Sequence, residues 1–213
     1  MLPNFVIIGA QKAGTTTLCA ALNEHPQIYT APEKEVYYFT DPNYAKGLDW
    51  YSEQFSGVGD ETAIGEASPR YMAKPDVPGR IRADLPDMKL IAVLRNPVER
   101  AYSEYWYDRV RLQVTASFEQ AIAEGRFLKR GNYAEQIGNV LESFSRDQLL
   151  VLLLDDLKSD ALAVYQTCCE FLGVDKRWAD RCLIPPLNLT RWRVNPLFSL
   201  FSLFSLFSLF SLF

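Results

Sequence analysis

The stretch GAQKAGTTT, residues 9–17, places a lysine between two glycines and follows the second glycine with three threonines. Residue types in that order suit an anion. Glycines let the chain turn tightly, backbone N–H groups and a helix N-terminus supply donors, and hydroxyls and an ammonium complete the shell. In the common phosphate-binding loop the lysine directly follows the second glycine. Here Thr15 holds that place, Thr16 holds that of the magnesium-binding hydroxyl, and Lys12 moves into the loop, near the terminal group of whatever is bound.

A second stretch, LIAVLRNPVERAYSEYW at residues 90–106, ends an apolar strand in Arg95. A nucleoside-triphosphate hydrolase would usually deliver an aspartate toward magnesium from such a strand. Asn96 and Pro97 read as the cap and first residue of a helix, and Ser103, about two turns on, returns to the side of the strand end. The forked donors of Arg95 and the hydroxyl of Ser103 can then converge on one anion. Taken singly, each is also explained as a surface arginine and a helix-face serine.

These residues need a scaffold, and the apolar runs supply one. Strands are expected near residues 5–8, 36–39, 63–65, 90–94 and 149–154. Helices are expected over 15–22, 97–109, 133–145 and 161–172, with shorter ones over 43–55 and 118–124. The alternation predicts an α/β, P-loop-like three-layer fold, a central parallel sheet flanked by helices. At 213 residues and 48% hydrophobic content the chain suits one domain, residues 1–196. Residues 197–213 contain only Leu, Phe and Ser in a three-residue repeat. That period drifts about 60° per repeat around an α-helix, so no polar face forms. The tail reads as a low-complexity extension with no part in the chemistry, a C-terminal membrane contact being the alternative.

The net charge of −4 gives no general attraction to nucleic acid or an anionic membrane, so an anion site must rest on a few local cations. Cys19, Cys168, Cys169 and Cys182 show no CxxC spacing and include an adjacent pair, which points away from a zinc site and toward reduced structural thiols. The first apolar strand begins too early for a secretory signal, and a cytoplasmic location is expected. His25, the only histidine, follows the first helix in NEHPQ and is expected to cap or pack.

The two anion-binding stretches resemble the phosphate signatures of sulfotransferases that use 3′-phosphoadenosine 5′-phosphosulfate (PAPS). The similarity is closest to the branch holding the heparan sulfate sulfotransferases and their bacterial relatives. LNEHPQI, KEVYYF, YAKGLDWY, GEASPRYM, RGNYAEQI and FLGV are similar too. The resemblance implies that Gln11, Lys12, Ala13, Gly14, Thr15, Thr16 and Thr17 hold the 5′-phosphosulfate and that Arg95 and Ser103 hold the 3′-phosphate. It further implies that Arg130, Gly131 and Tyr133 lie near the nucleoside, and that Glu35 is the catalytic base. A salt bridge with Lys34 is the other reading of Glu35. Arg70 and Tyr71 are candidates for the acceptor cleft. Where the family often has a histidine and an acid beyond the base, this chain has Tyr37 and Thr40; where some members carry a lysine, it has Ala67. In place of a basic, glycine-containing closing loop it has PPLNLTRWRVNP, with Arg191 and Arg193.

Sulfuryl transfer makes sense of the displaced lysine. Charge builds on the bridging oxygen as its bond to sulfur breaks, and Lys12 is placed to meet it without a metal. The donor would be PAPS, the product PAP, and the acceptor a hydroxyl or amine of a glycan, lipid or small molecule. Two alternatives stand beside this: a magnesium-dependent nucleotide kinase or hydrolase anchored by Asp155 and Asp156, and a non-catalytic protein that keeps the fold.

Overall fold

A computed structural model of the chain describes residues 1–181 apart from Lys34 and Val114. Its elements are β1 (Phe5–Gly9), α1 (Thr15–Asn23), β2 (Ile28–Thr30), α2 (Gly47–Glu53), β3 (Ala63–Ala67), α3 (Val77–Asp84), β4 (Lys89–Leu94), α4 (Pro97–Arg111), α5 (Phe118–Ala123), α6 (Tyr133–Ser143), β5 (Leu149–Leu153), α7 (Leu154–Ser159) and α8 (Ala161–Leu172). The strands form one sheet in the order β2-β3-β1-β4-β5, with every pairing parallel. Helices cover both faces, so the central strands are buried throughout. Phe5, Val6 and Ile7 of β1 and Leu90 to Val93 of β4 have no exposed surface, which is why they read as unbroken apolar runs. The architecture is the expected P-loop-like α/β fold.

From β1 the chain passes to the edge strand β2, returns to β3 beside β1, then crosses to β4 on the other side of β1. Such a reversal opens a crevice beyond the carboxyl ends of the strands on either side of it. The loop after β1 and the Arg95 corner after β4 both stand there.

The second strand is not where its residues suggested. Residues 36–39 form no strand; β2 lies earlier, with Ile28 opposite Ala63 and Thr30 opposite Gly65. Tyr37 has φ +52°, which interrupts extended backbone, and the segment's amides turn to side chains instead. Tyr37 N–H donates to Ser68 Oγ at 3.0 Å and Phe39 N–H to Tyr71 Oη at 3.2 Å. The rings that imitated a strand pattern fill an aromatic cluster: Tyr38 stacks on Tyr51 with centroids 4.4 Å apart, and Phe39 meets Tyr51 edge-on at 5.3 Å. Helices α3 and α7 were not foreseen, and the latter begins at Leu154, where strand was expected to continue. The 43–55 segment divides into a 3-10 turn, Asn43–Lys46, and α2. Cys182, Arg191, Arg193 and the Leu-Phe-Ser tail lie outside the described residues.

Candidate functional site

The loop after β1 is fastened on both sides. Ala10 N–H donates to Val93 O of β4 at 2.7 Å, and a side chain at Gly9 would meet Met72 Cβ at 2.8 Å. Gly14 then takes φ +89° at the start of α1, a conformation that glycine alone adopts without strain. Lys12 is also left-handed, at φ +70°. A non-glycine residue held there costs of order 1 kcal/mol, a cost that proteins tend to retain at functional sites. The strain sets the Lys12 ammonium 4.3 Å from the centroid of the Tyr107 ring on α4 and its carbonyl against Arg95, whose Nη1 donates to it at 3.3 Å. The two candidate anion-binding stretches, with Lys12 and Arg95 83 residues apart in sequence, are therefore in direct contact.

Arg95 is positioned by the cap that the sequence announced. Asn96 Oδ1 accepts from Val98 N–H at 3.0 Å and Glu99 N–H at 3.3 Å, and Pro97 opens α4. The guanidinium forks onto Glu99 Oε2 through Nε at 3.2 Å and Nη2 at 3.1 Å. Ser103, four residues past Glu99, shares that helix face. The Arg95 carbonyl accepts from Tyr133 Oη at 2.9 Å, which ties the start of α6 to this corner.

Arg130 donates to Glu104, and the fully buried Arg100 donates to the same carboxylate at 2.7 Å and to Phe127 O at 2.6 Å. Burial first, then the nearby charges of Arg70 and Arg100, lower the pKa of Arg130. A small cleft lies between this group and the loop, lined by Ala10, Gln11, Pro69, Arg70, Arg130 and Gln136 among others. Gln11 Oε1 is buried there without a hydrogen-bond partner. Crowded guanidinium groups beside an orphaned amide oxygen suit a ligand that carries both anionic and donor groups, as a nucleotide does.

Within the first loop, Lys12 and Thr16 keep side-chain surface, whereas the side chains of Thr15 and Thr17 are buried and Ala13 has no exposed surface. Ala13 N–H is spent on Ala10 O at 3.2 Å. Glu35 is exposed and accepts from Tyr37 Oη; burial, then this bond, raises the Tyr37 pKa. The Arg70 guanidinium sits 5.7 Å from the Tyr37 ring centroid, which links the Glu35 segment to the cleft. Tyr71, by contrast, is fully buried and does not line it. His25 packs as expected: Gln27 N–H donates to its Nδ1 at 3.0 Å, and its Nε2 donates to Asp175 O at 3.0 Å. Asp155 is engaged by Lys158 at 2.7 Å in the first turn of α7, beyond edge strand β5.

Three contributors were not foreseen. Tyr107 gives Lys12 its ring face. Asp108 is held above the usual carboxylate range by burial, against the opposing pull of Arg70, Lys12 and Arg126. Glu66 lies wholly inside the protein behind the Tyr37 segment. Tyr107 and Asp108 follow Ser103 by about one further turn of α4, so helical period was the signal that could have found them.

A family profile described as Sulfotransferase domain matches residues 2–183, and the chain belongs to that family. It is 32% identical over 212 residues to the human bifunctional heparan sulfate N-deacetylase/N-sulfotransferase 2, covering 89% of this chain and 23% of that protein. A membrane-associated sulfotransferase, kil1, from Dictyostelium discoideum is 43% identical over 109 residues, covering 50% of this chain and 23% of that one. The chain thus spans less than a quarter of the length of these curated relatives. A sulfotransferase structure from Alicyclobacillus acidocaldarius superimposes with a TM-score of 0.77 at 31% identity, covering 96% of this chain and 92% of that one. A mouse sulfotransferase solved with PAP shares the fold at TM-score 0.57 and 16% identity, covering 83% of this chain and 64% of that one.

Proposed function

We propose that the chain transfers the sulfuryl group of PAPS to a hydroxyl or amine acceptor. The observation that supports this most is the hydrogen bond from Arg95 to the Lys12 carbonyl, which joins the loop after β1 to the corner after β4 in one crevice, where a nucleotide phosphorylated at both ends could span them. In this reading Lys12, Thr16 and the first amides of α1 hold the 5′-phosphosulfate, Arg95 and Ser103 hold the 3′-phosphate, and Arg130, Gln11 and Tyr133 border the nucleoside.

The acceptor attacks sulfur opposite the bridging oxygen; an acceptor-to-sulfur bond forms, the sulfur-to-bridging-oxygen bond breaks, and PAP leaves with the electron pair. Lys12 faces the oxygen on which that charge appears. Glu35 takes the acceptor's proton, and Tyr37, standing where relatives often have a histidine, fixes the carboxylate by hydrogen bonding. Fixed cations and backbone dipoles neutralise the leaving group, so no step calls on a divalent ion. The kinase or hydrolase alternative has less to stand on, since Asp155 is paired with Lys158 on α7.

Buried thiols at Cys19, Cys168 and Cys169, none in a disulfide, support a reducing, cytoplasmic setting; burial pushes Cys168 up to about 12. No helix among the described residues is long and apolar enough to cross a membrane.

The test incubates the purified chain with labelled PAPS, in chelator, against N-desulfated heparin and a panel of phenols, alcohols and amines, with PAP binding measured in parallel. Label transfer to one acceptor class with chelator-resistant PAP binding is the expected result. PAP binding without transfer selects the non-catalytic alternative; binding that needs magnesium selects the kinase or hydrolase.

A further inference from the structure

Glu66 lies on β3 and is 1% exposed, yet no cation pairs with it among the described residues. Its partners are neutral donors. Ser68 Oγ donates to Oε2 at 2.7 Å and Tyr51 Oη, from α2, to Oε1 at 3.4 Å; the Val36 amide and the Tyr71 hydroxyl also face it. A buried carboxylate without a countercharge is costly, and a structural role alone would be met by an amide or an apolar residue of similar size. What distinguishes this one is where its hydrogen bonds lead. Ser68 Oγ, having given its proton to Glu66, turns a lone pair to Tyr37 N–H at 3.0 Å, and the Tyr37 hydroxyl holds Glu35. Tyr37 itself stands at φ +52°, a conformation that must be imposed from outside.

We propose that Glu66 is a positioning residue for the candidate base: through the Ser68 hydroxyl it fixes the backbone at Tyr37, and through Tyr37 it aims the Glu35 carboxylate at the acceptor. The inference rests on the sulfotransferase reading. The chain of contacts runs from β3 to the surface in three side chains, and each is engaged on both sides. The direction of the Ser68 proton depends on the charge of Glu66. Ionised, Glu66 accepts it; protonated, Glu66 can donate to the Ser68 oxygen instead, and the hydroxyl must turn its own proton elsewhere, which changes the geometry at the lone pair that the Tyr37 amide uses.

Burial raises the Glu66 pKa to about 7, with Ser68, Tyr71, Tyr51 and the Val36 amide pulling it back down. The titratable groups around it are Tyr51 on α2, Tyr71 on the 3-10 turn Tyr71–Ala73, and Tyr37 on the base-bearing segment, with Arg70 the nearby cation on Tyr37. Burial holds all three phenols above their usual range, so Glu66 alone of this set changes charge near neutral pH. The base is therefore well aimed above about pH 7 and less so below it.

The test uses the full chain, Glu66→Gln, and Ser68→Ala as a second variant should the buried amide prevent folding. The backbone amide resonance of Tyr37 is followed from about pH 5 to about pH 9, alongside PAP affinity and kcat and KM with labelled PAPS and N-desulfated heparin as acceptor probe. In the wild type the Tyr37 amide shifts with an apparent pKa of about 7, and kcat shows a rising limb there. Glu66→Gln flattens both; either variant lowers kcat about 10-fold while PAP affinity and the KM for PAPS stay within about 2-fold. A wild-type Tyr37 amide that ignores pH, or variants with wild-type kcat, overturns the positioning role. A wild type that neither binds PAP nor transfers label overturns the sulfotransferase reading instead, and the Tyr37 titration then judges the Glu66 link by itself.

Discussion

Lys12 and Glu35 divide the work of the proposed transfer, one meeting the charge that leaves and the other the proton that is released. In this reading Lys12→Ala removes the ammonium that faces the bridging oxygen, and kcat should fall by about 10²–10³. Glu35→Gln keeps the hydrogen bond from Tyr37 but cannot take a proton, so kcat should fall by about 10²–10⁴ with PAP affinity unchanged. Single-turnover kinetics with labelled PAPS and parallel PAP calorimetry separate the two effects. Glu66 makes a prediction for stability as well. Its folded-state pKa is raised to about 7, so the native state holds a proton that the unfolded chain has already released. Stability should therefore fall as pH rises from the usual carboxylate range to about 7 and level off above it. Thermal unfolding across that range should show the slope in the wild type and lose it in Glu66→Gln.

At the scale of elements, the corner between β4 and α4 carries Arg95 and Ser103 of the proposed second anion site. Asn96→Ala removes the side-chain acceptor for two amides of α4; it should cost about 1 kcal/mol in urea unfolding and weaken PAP binding by loosening Arg95. This corner was legible in the sequence because cap, proline and helical period are local signals, and so was the Gly14 turn, which only a glycine makes cheaply. The Tyr37 segment was not. Alternating aromatic residues there look like a strand, and only the positions of Ser68 and Tyr71, more than thirty residues away, show that its amides bond to side chains. Glu66 was passed over for the same reason: a glutamate in an apolar strand reveals its burial only once α2 and the aromatic cluster are folded over it. The Tyr107 ring under Lys12 is likewise a contact between elements, written in no single stretch of the chain.

Across the whole molecule, the order of the sheet brings the loop after β1 beside the corner after β4, and an ion network built on the buried Arg100 and Glu104 keeps the outer wall in place. Arg100 and Arg130 share Glu104, and Arg100 also holds the Phe127 carbonyl, so this group fastens the segment before α6 to α4. Glu104→Ala leaves Arg100 buried without its carboxylate; a loss of about 3–5 kcal/mol in denaturant unfolding is expected. The sheet itself pairs in parallel from end to end, which is why alternation of strands and helices disclosed the fold before any side chain was placed.

The central claim is that one crevice holds both phosphates of a single nucleotide, the 3′-phosphate on Arg95. Calorimetry of PAP and of adenosine 5′-monophosphate, which lacks the 3′-phosphate, on the wild type and on Arg95→Ala tests it most directly. The wild type should prefer PAP by about 10–100-fold, the worth of a charge-assisted pair, and Arg95→Ala should erase most of that preference. An equal preference for PAP in both proteins would contradict the account.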